Sequence, residues 1–275
     1  MTRPTDVPLV AAEHLTKSFR VRRQTSMRAA RVDAVRDVSL QVATGASVGL
    51  VGESGSGKST IARMVMGLER PTAGTISIEG EERPSHLTAR LLRRQARRLQ
   101  MVFQDPATSL NPRQQVAEML DEVQRVHFTR TRAERERRTT ELLDSCGLAS
   151  RESKAQPREL SGGQRQRVAI ARALAAEPSM IVLDEAVSAL DVSVQAQVLN
   201  TLADVRAEYG LTYLFISHDL AVIGFLCEQV IVLRDGQIVE QGDSKTVFSH
   251  PTTDYTRNLI DSIPRVPASW EAPRI

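Results

Sequence analysis

Apolar positions along this chain follow two rhythms. Short continuous runs at residues 181–183 and 213–216 read as strands buried on both faces, the pattern of a parallel sheet, and residues 46–51 read as a short strand. Between them the spacing becomes helical. Ile61, Met64, Val65 and Leu68 share one face of a helix predicted over 58–68, residues 112–147 are helical in character, and a further helix follows over 164–175. Towards the N-terminus the pattern gives an early strand over 9–15, a half-buried alternating strand over 38–42, a turn over 71–74 and a strand over 75–79. Residues 20–36 are basic and poor in large apolar side chains, which reads as a loop or hairpin excursion. A basic amphipathic helix is expected over 86–100 and a short buried strand over 101–104. Asp235-Gly236 signals a hairpin between strands 230–233 and 237–240. Glu134 and Arg138 stand at i,i+4, the spacing of an exposed ion pair, and the proline-rich tail from Pro264 is expected to be irregular. Strands alternating with helices make an α/β protein.

Composition narrows the classes. The chain has 275 residues, 41% hydrophobic and 25% charged, as an ordinary globular protein has. Thirty-six Lys and Arg face 33 Asp and Glu, a net charge of +3, which is weak support for a nucleic-acid face. Arg90, Arg93, Arg94, Arg97 and Arg98 then read as a solvated helix face. Cys146 and Cys227 are not at metal-ligand spacing and are expected as reduced thiols in a cytosolic setting. The N-terminus lacks an apolar signal core, and no uncharged apolar run approaches the ~18 residues of a membrane span. A role at a membrane would therefore go through a partner.

The chemistry is concentrated at strand ends. Gly52-Glu53-Ser54-Gly55-Ser56-Gly57-Lys58-Ser59-Thr60 fits Gly-x-x-x-x-Gly-Lys-Ser/Thr where a predicted strand hands over to a helix. Its glycines let backbone N–H groups turn inward around phosphate oxygens, and the helix N-terminus adds positive potential. Lys58 brings a point charge to the β- and γ-phosphates, and Ser59 offers a hydroxyl to Mg²⁺. The plain alternative is a glycine turn with no ligand. Asp184 ends a buried strand, where a carboxylate can hold the metal through water. Glu185 follows, and alternation sends it to the other side, where it would orient or deprotonate a water attacking the γ-phosphate. The alternative for this acidic pair is a helix cap. His218 sits just past another buried strand, a place where α/β sheets put ligand contacts, although a lone histidine is usually structural.

Leu160-Ser161-Gly162-Gly163-Gln164, with the phosphate loop upstream and the Asp-Glu strand end downstream, resembles the signature of the ATP-binding subunits of ABC transporters. The resemblance runs from about residue 9 to 264. It implies a mostly parallel P-loop sheet, an N-terminal antiparallel β portion and an inserted helical subdomain at about 105–172, all within an ATPase domain over 1–245. It assigns Phe19 to adenine stacking and Gln104 to a link between the metal site and the helical subdomain. Ser188-Ala189-Leu190-Asp191 matches the loop that crosses the dimer interface, and His218 the switch histidine. Ser59, Gln104 and Asp184 become the Mg²⁺ set, and Glu185 with His218 the catalytic pair. Two such subunits would face head to tail, each ATP lying between one phosphate loop and the other subunit's Ser161, Gly162, Gly163 and Gln164.

Finer features are similar to the oligopeptide, dipeptide and nickel importer group: the stretch from Gln104 to Pro112, the stretch from Asp191 to Gln197, and His250-Pro251 with Tyr255-Thr256-Arg257 in an extension over 246–275. Three features depart from that group. Thr252, Thr253 and Asp254 interrupt the His-Pro-Tyr run. Ala186 stands where many members carry proline. The chain has no cysteine after Cys227, so the iron–sulfur cluster of some relatives is not expected. The resemblance implies an ATPase subunit that energises a di- or oligopeptide importer from the cytoplasmic face of the cell membrane. Its partners would be two permease subunits, a second ATPase subunit (a different one, by the likeness to second members of such pairs, with an identical one as the alternative) and, indirectly, an extracytoplasmic solute-binding protein. Nucleic acid is not expected as a partner. The alternatives are a nickel or other small-solute importer and a non-transport ABC ATPase, such as one serving a carbon–phosphorus lyase.

Overall fold

The structure is a computed structural model and describes residues 7–22, 29–84, 86 and 88–262. Residues 23–28 of the basic stretch and the tail from Pro264 lie outside them. The described strands are β1 (Val10–Arg22), β2 (Ala29–Val42), β3 (Ser47–Val51), β4 (Ala73–Ile78), β5 (Glu81–Glu82), β6 (Leu99–Val102), β7 (Met180–Asp184), β8 (Thr212–Ile216), β9 (Gln229–Arg234) and β10 (Gln237–Asp243). The helices are α1 (Lys58–Met66), α2 (Ala89–Arg98), α3 (Pro106–Ser109), α4 (Val116–His127), α5 (Arg132–Ser145), α6 (Gly162–Leu174), α7 (Val192–Tyr209), α8 (Leu220–Leu226), α9 (Ser244–Ser249) and α10 (Asp254–Asp261).

Two sheets result. One is antiparallel in the order β2-β1-β4-β5. The other runs β10-β9-β3-β8-β7-β6, parallel throughout except for β10 on its edge. Strand alternation then divides the core. Val48, Leu50, Met180, Val182, Leu214, Ile216, Ile231 and Leu233 turn towards α1 and the antiparallel sheet. Val51, Ile181, Leu183, Tyr213, Phe215, Val230 and Val232 turn the other way, towards α4 to α8. Each central strand is thus apolar on both faces, which is why these runs are continuous in sequence.

Several elements refine the sequence reading or differ from it. The described residues of the basic stretch at 20–36 take the hairpin alternative of that reading: β1 and β2 pair antiparallel out to Arg22 and Ala29. The strand expected at 101–104 begins two residues earlier, because Leu99 pairs with Met180. The helical stretch 112–147 is two helices, α4 and α5. Thr131 caps α5: its N–H donates to Glu134 Oε2 at 2.7 Å, and its hydroxyl accepts from the Glu134 N–H at 3.4 Å. Glu134 is therefore occupied locally, and Arg138 donates to Glu141 at 3.1 Å instead. The Asp235-Gly236 turn forms as expected, with φ of 49° and 81°. No described helix is long and apolar enough to cross a membrane.

Candidate nucleotide site

The C-terminal ends of β3, β6, β7 and β8 lie side by side, and the loops that leave them carry the candidate chemistry. Between β3 and α1 the chain turns through residues 52–57. Gly57 has φ 104°, and a Cβ there would lie 2.4 Å from the carbonyl oxygen of Ala34 on β2. Only glycine fits, both for the backbone angle and for the close approach of β2. Among the described residues no protein group accepts the N–H of Ser54, Gly55, Gly57 or Lys58. These donors at the start of α1, together with the helix dipole, form a cradle for an anion.

Lys58 is 5% exposed, and its ammonium curls back into the loop. It donates to the carbonyls of Gly52 at 2.7 Å and Glu53 at 2.8 Å, with Ser56 Oγ at 3.4 Å. Burial lowers its pKa, and Glu185, Asp184 and Glu53 pull it back up. Ser59 donates its hydroxyl to Asp184 Oδ1 at 3.0 Å. Asp184 ends β7, and burial raises its carboxyl above the usual range while the Ser59 hydrogen bond lowers it. A desolvated carboxylate beside a hydroxyl is a donor set that fits a hard divalent cation.

Glu185 is held in the left-handed region at φ 49°, a strained choice for a residue with a Cβ. Its N–H donates to Ile216 O at the end of β8, 2.9 Å away. Its carboxylate reaches His218 Nδ1 at 3.5 Å. The Ser188 hydroxyl donates to the Glu185 carbonyl at 2.9 Å, and Gln104 Nε2 reaches that hydroxyl at 3.5 Å. The loops after β6, β7 and β8 thus meet around Glu185. Thr60 continues α1 beyond Ser59.

A second group stands at the start of α6. Ser161 caps the helix, its hydroxyl accepting from the Gln164 N–H at 3.3 Å and its own N–H donating to Gln164 Oε1 at 2.9 Å. A Cβ on Gly163 would lie 2.3 Å from a methyl of Val194, so this glycine is required by the packing of α6 against α7. Asp191 caps α7 by accepting from the Val194 N–H and the Ser193 hydroxyl, at 3.0 and 2.9 Å, and these bonds hold its pKa low. Among the described residues no hydrogen bond or ion pair joins the 161–164 turn to the 52–60 loop. Phe19, on β1, is 37% exposed, with Lys17 Nζ 5.0 Å from its ring centre. Tyr255 of α10 belongs to the site although no sequence spacing marked it there: its hydroxyl accepts the Glu53 N–H at 3.1 Å.

A glycine loop between a buried strand and a helix, with a lysine folded into it and an Asp-Glu pair on a neighbouring strand end, defines a P-loop nucleotide-binding cassette. Residues 35–188 match the ABC transporter family, and the chain belongs to that family. It is 46% identical over 260 residues to a Brucella ovis protein provisionally named a peptide import ATP-binding protein, covering 94% of this chain and 80% of that one. It is 44% identical over 261 residues to the oligopeptide transport ATP-binding protein OppD of Mycobacterium tuberculosis, covering 94% of this chain and 42% of that longer protein. Among solved structures, the dimeric ATP-binding cassette MJ0796 in a post-hydrolysis state with ADP and Pi superposes with a TM-score of 0.75 at 30% identity, over 86% of this chain and 98% of that one. The cassette cbiO1 of the cbiONQ complex from Clostridium perfringens, at 24% identity, gives a TM-score of 0.77 over 89% of this chain and 92% of that one, a likeness of fold.

Proposed function

We propose that this chain is the ATP-hydrolysing subunit of an ABC importer for di- or oligopeptides. The observation that carries the reading is the rim of the parallel sheet. The buried ammonium of Lys58, the unpaired N–H groups of the loop and the Glu185–His218 pair converge there. The nucleotide names of the relatives support an ATPase, and their peptide names support the substrate class.

The chemistry follows from the side chains. Gly52, Glu53, Ser54, Gly55, Ser56, Gly57, Lys58, Ser59 and Thr60 bind the triphosphate through backbone donors and the lysine charge. Phe19 stacks on the base. Ser59 and Asp184, with Gln104, would hold Mg²⁺, which when bound neutralises charge on the β- and γ-oxygens. Glu185 orients a water and takes its proton as the water oxygen bonds to the γ-phosphorus. The bond to the β,γ-bridging oxygen breaks, leaving ADP and phosphate. His218, beside Glu185, contacts the γ-phosphate.

Residues 1–245 form the ATPase domain, with a helical subdomain over about 105–172, and residues 246–275 form an extension. A second ATPase subunit, a different chain, presents its own serine-glycine turn to the γ-phosphate, as Ser161, Gly162, Gly163 and Gln164 do in return, with Asp191 near the junction. ATP closes the pair and hydrolysis opens it, because the two nucleotides contact the closed state differently. The motion passes to two permeases, so the subunit sits peripherally on the cytoplasmic face of the membrane and a solute-binding protein supplies the peptide outside. Affinity capture of the tagged chain from gently solubilised membranes tests this. Recovery of two permeases and a distinct second ATPase is the expected result. Recovery with soluble enzymes alone would reject the transport role and leave the ATPase chemistry standing.

A further inference from the structure

The residues that interrupt the His-Pro-Tyr run have a structural task. Glu240 on β10 is 9% exposed and accepts the N–H of Thr252 at 2.8 Å, and the N–H and hydroxyl of Thr253 at 3.2 and 3.1 Å. Thr253 in turn caps α10, accepting the Thr256 N–H at 3.1 Å. The interruption therefore ties the start of α10 to the edge of the main sheet. In the first turn of that helix, the Tyr255 hydroxyl accepts the N–H of Glu53, the first residue after Gly52 in the phosphate loop. The guanidinium of Arg234, at the end of β9, stacks over the Tyr255 ring at 4.9 Å. Tyr255 is thus gripped from the sheet on one side and grips the phosphate loop on the other.

We infer that Tyr255 is a positioning residue for the nucleotide site, pinning the first turn of the phosphate loop through the Glu53 N–H. This inference rests on the ATPase reading above. The Glu53 carbonyl is also one of the oxygens that hold the Lys58 ammonium, at 2.8 Å. The peptide plane on one side of Glu53 is fixed by Tyr255 and the carbonyl on the other side is fixed by Lys58. Fixing the loop before nucleotide arrives removes an ordering cost from binding, so the contact acts on affinity rather than on the chemical step.

The test is Tyr255→Phe in the full chain, which keeps the ring for Arg234 and removes only the acceptor. Loss of one such bond is worth about threefold to tenfold in MgATP and MgADP affinity. The expected result is weaker nucleotide binding by that factor, a KM raised to match, kcat within about twofold of wild type, and faster amide exchange at Glu53 with the interior of α1 unchanged. Thr253→Val, which unties the helix start without touching Tyr255, should move the same readouts in the same direction. Wild-type affinity together with wild-type exchange at Glu53 in Tyr255→Phe overturns the inference. A wild-type chain that binds no MgATP would instead overturn the ATPase reading, and the exchange measurement still decides whether Tyr255 pins the loop.

Discussion

Lys58 is a cation held in place before any phosphate is there. Its two carbonyl partners and its burial make it a preset group rather than a searching one; burial lowers its pKa, and the neighbouring carboxylates act against that lowering. Lys58→Ala should therefore weaken MgATP binding itself, by roughly tenfold or more for loss of a charge-assisted contact, measurable by nucleotide titration. Unchanged affinity would remove the phosphate-loop assignment. Glu185 is different. Its strained backbone and its contact with His218 fix a carboxylate at the strand end, and in the proposed function that carboxylate serves the water rather than the phosphates. Glu185→Gln should keep MgATP affinity within about threefold and lower turnover by at least 10²-fold, the usual scale of a lost general base. Both residues were legible in the sequence because their motifs place chemistry at a strand end within a few residues of one another. The contacts that shape them were not. Ala34 O against Gly57, Gln104 on Ser188 and Tyr255 on Glu53 join residues far apart in the chain, and no local spacing encodes such meetings.

At the scale of elements, the phosphate loop works because β2 passes directly beneath it. Gly57→Ala must both adopt φ 104° and push a carbonyl 2.4 Å away, so a destabilisation of about 1–3 kcal/mol is expected, read as a fall in Tm with loss of nucleotide binding. The extension is an element with its own pH response. Burial pushes the Glu240 carboxyl up, but hydrogen bonds from Thr256, Thr252 and Thr253 outweigh it and hold the pKa at about 2, below the ordinary 4.5. Its contribution is fully present above about pH 4.5 and is lost as pH falls towards 2. The Tyr255 ring resonances should therefore report undocking of α10 across that window, and Glu240→Gln should already show the weakened docking at neutral pH. The same element scale explains where the periodicity misled. Residues 112–147 carry one helical rhythm, yet a Thr131–Glu134 capping box starts a new helix in the middle of it. The arginine-rich α2 shows no buried residue, as a solvated face should, but Arg98 and Arg94 are also tied to Glu79 and Glu81 across to the antiparallel sheet.

The whole molecule presents two separate groups of residues that no hydrogen bond or ion pair joins among its described residues: the 52–60 loop with its strand-end acids, and the serine-glycine turn at the start of α6; in the proposed function each is a half-site. The proposed assembly brings each half-site against the other half of a neighbour. Glu185→Gln with MgATP should then shift the chain, alone or with its natural partner, to a dimer on size exclusion, while Lys58→Ala stays monomeric under the same conditions. A Glu185→Gln chain that binds MgATP in every pairing and never dimerises would count against the shared site. The amino-acid sequence by itself determined the class of this protein. Continuous apolar strands, a glycine loop between strand and helix and acids at a strand end are local patterns, and local patterns survive being read one residue after another. The tertiary structure alone decided how the site is supported. Gly163 is glycine because α7 lies against it, the choice of hairpin over loop for the basic stretch comes from the pairing of β1 with β2, and α10 reaches the phosphate loop because Glu240 anchors its start. Each of those depends on which distant surfaces meet, and only the packed chain sets that.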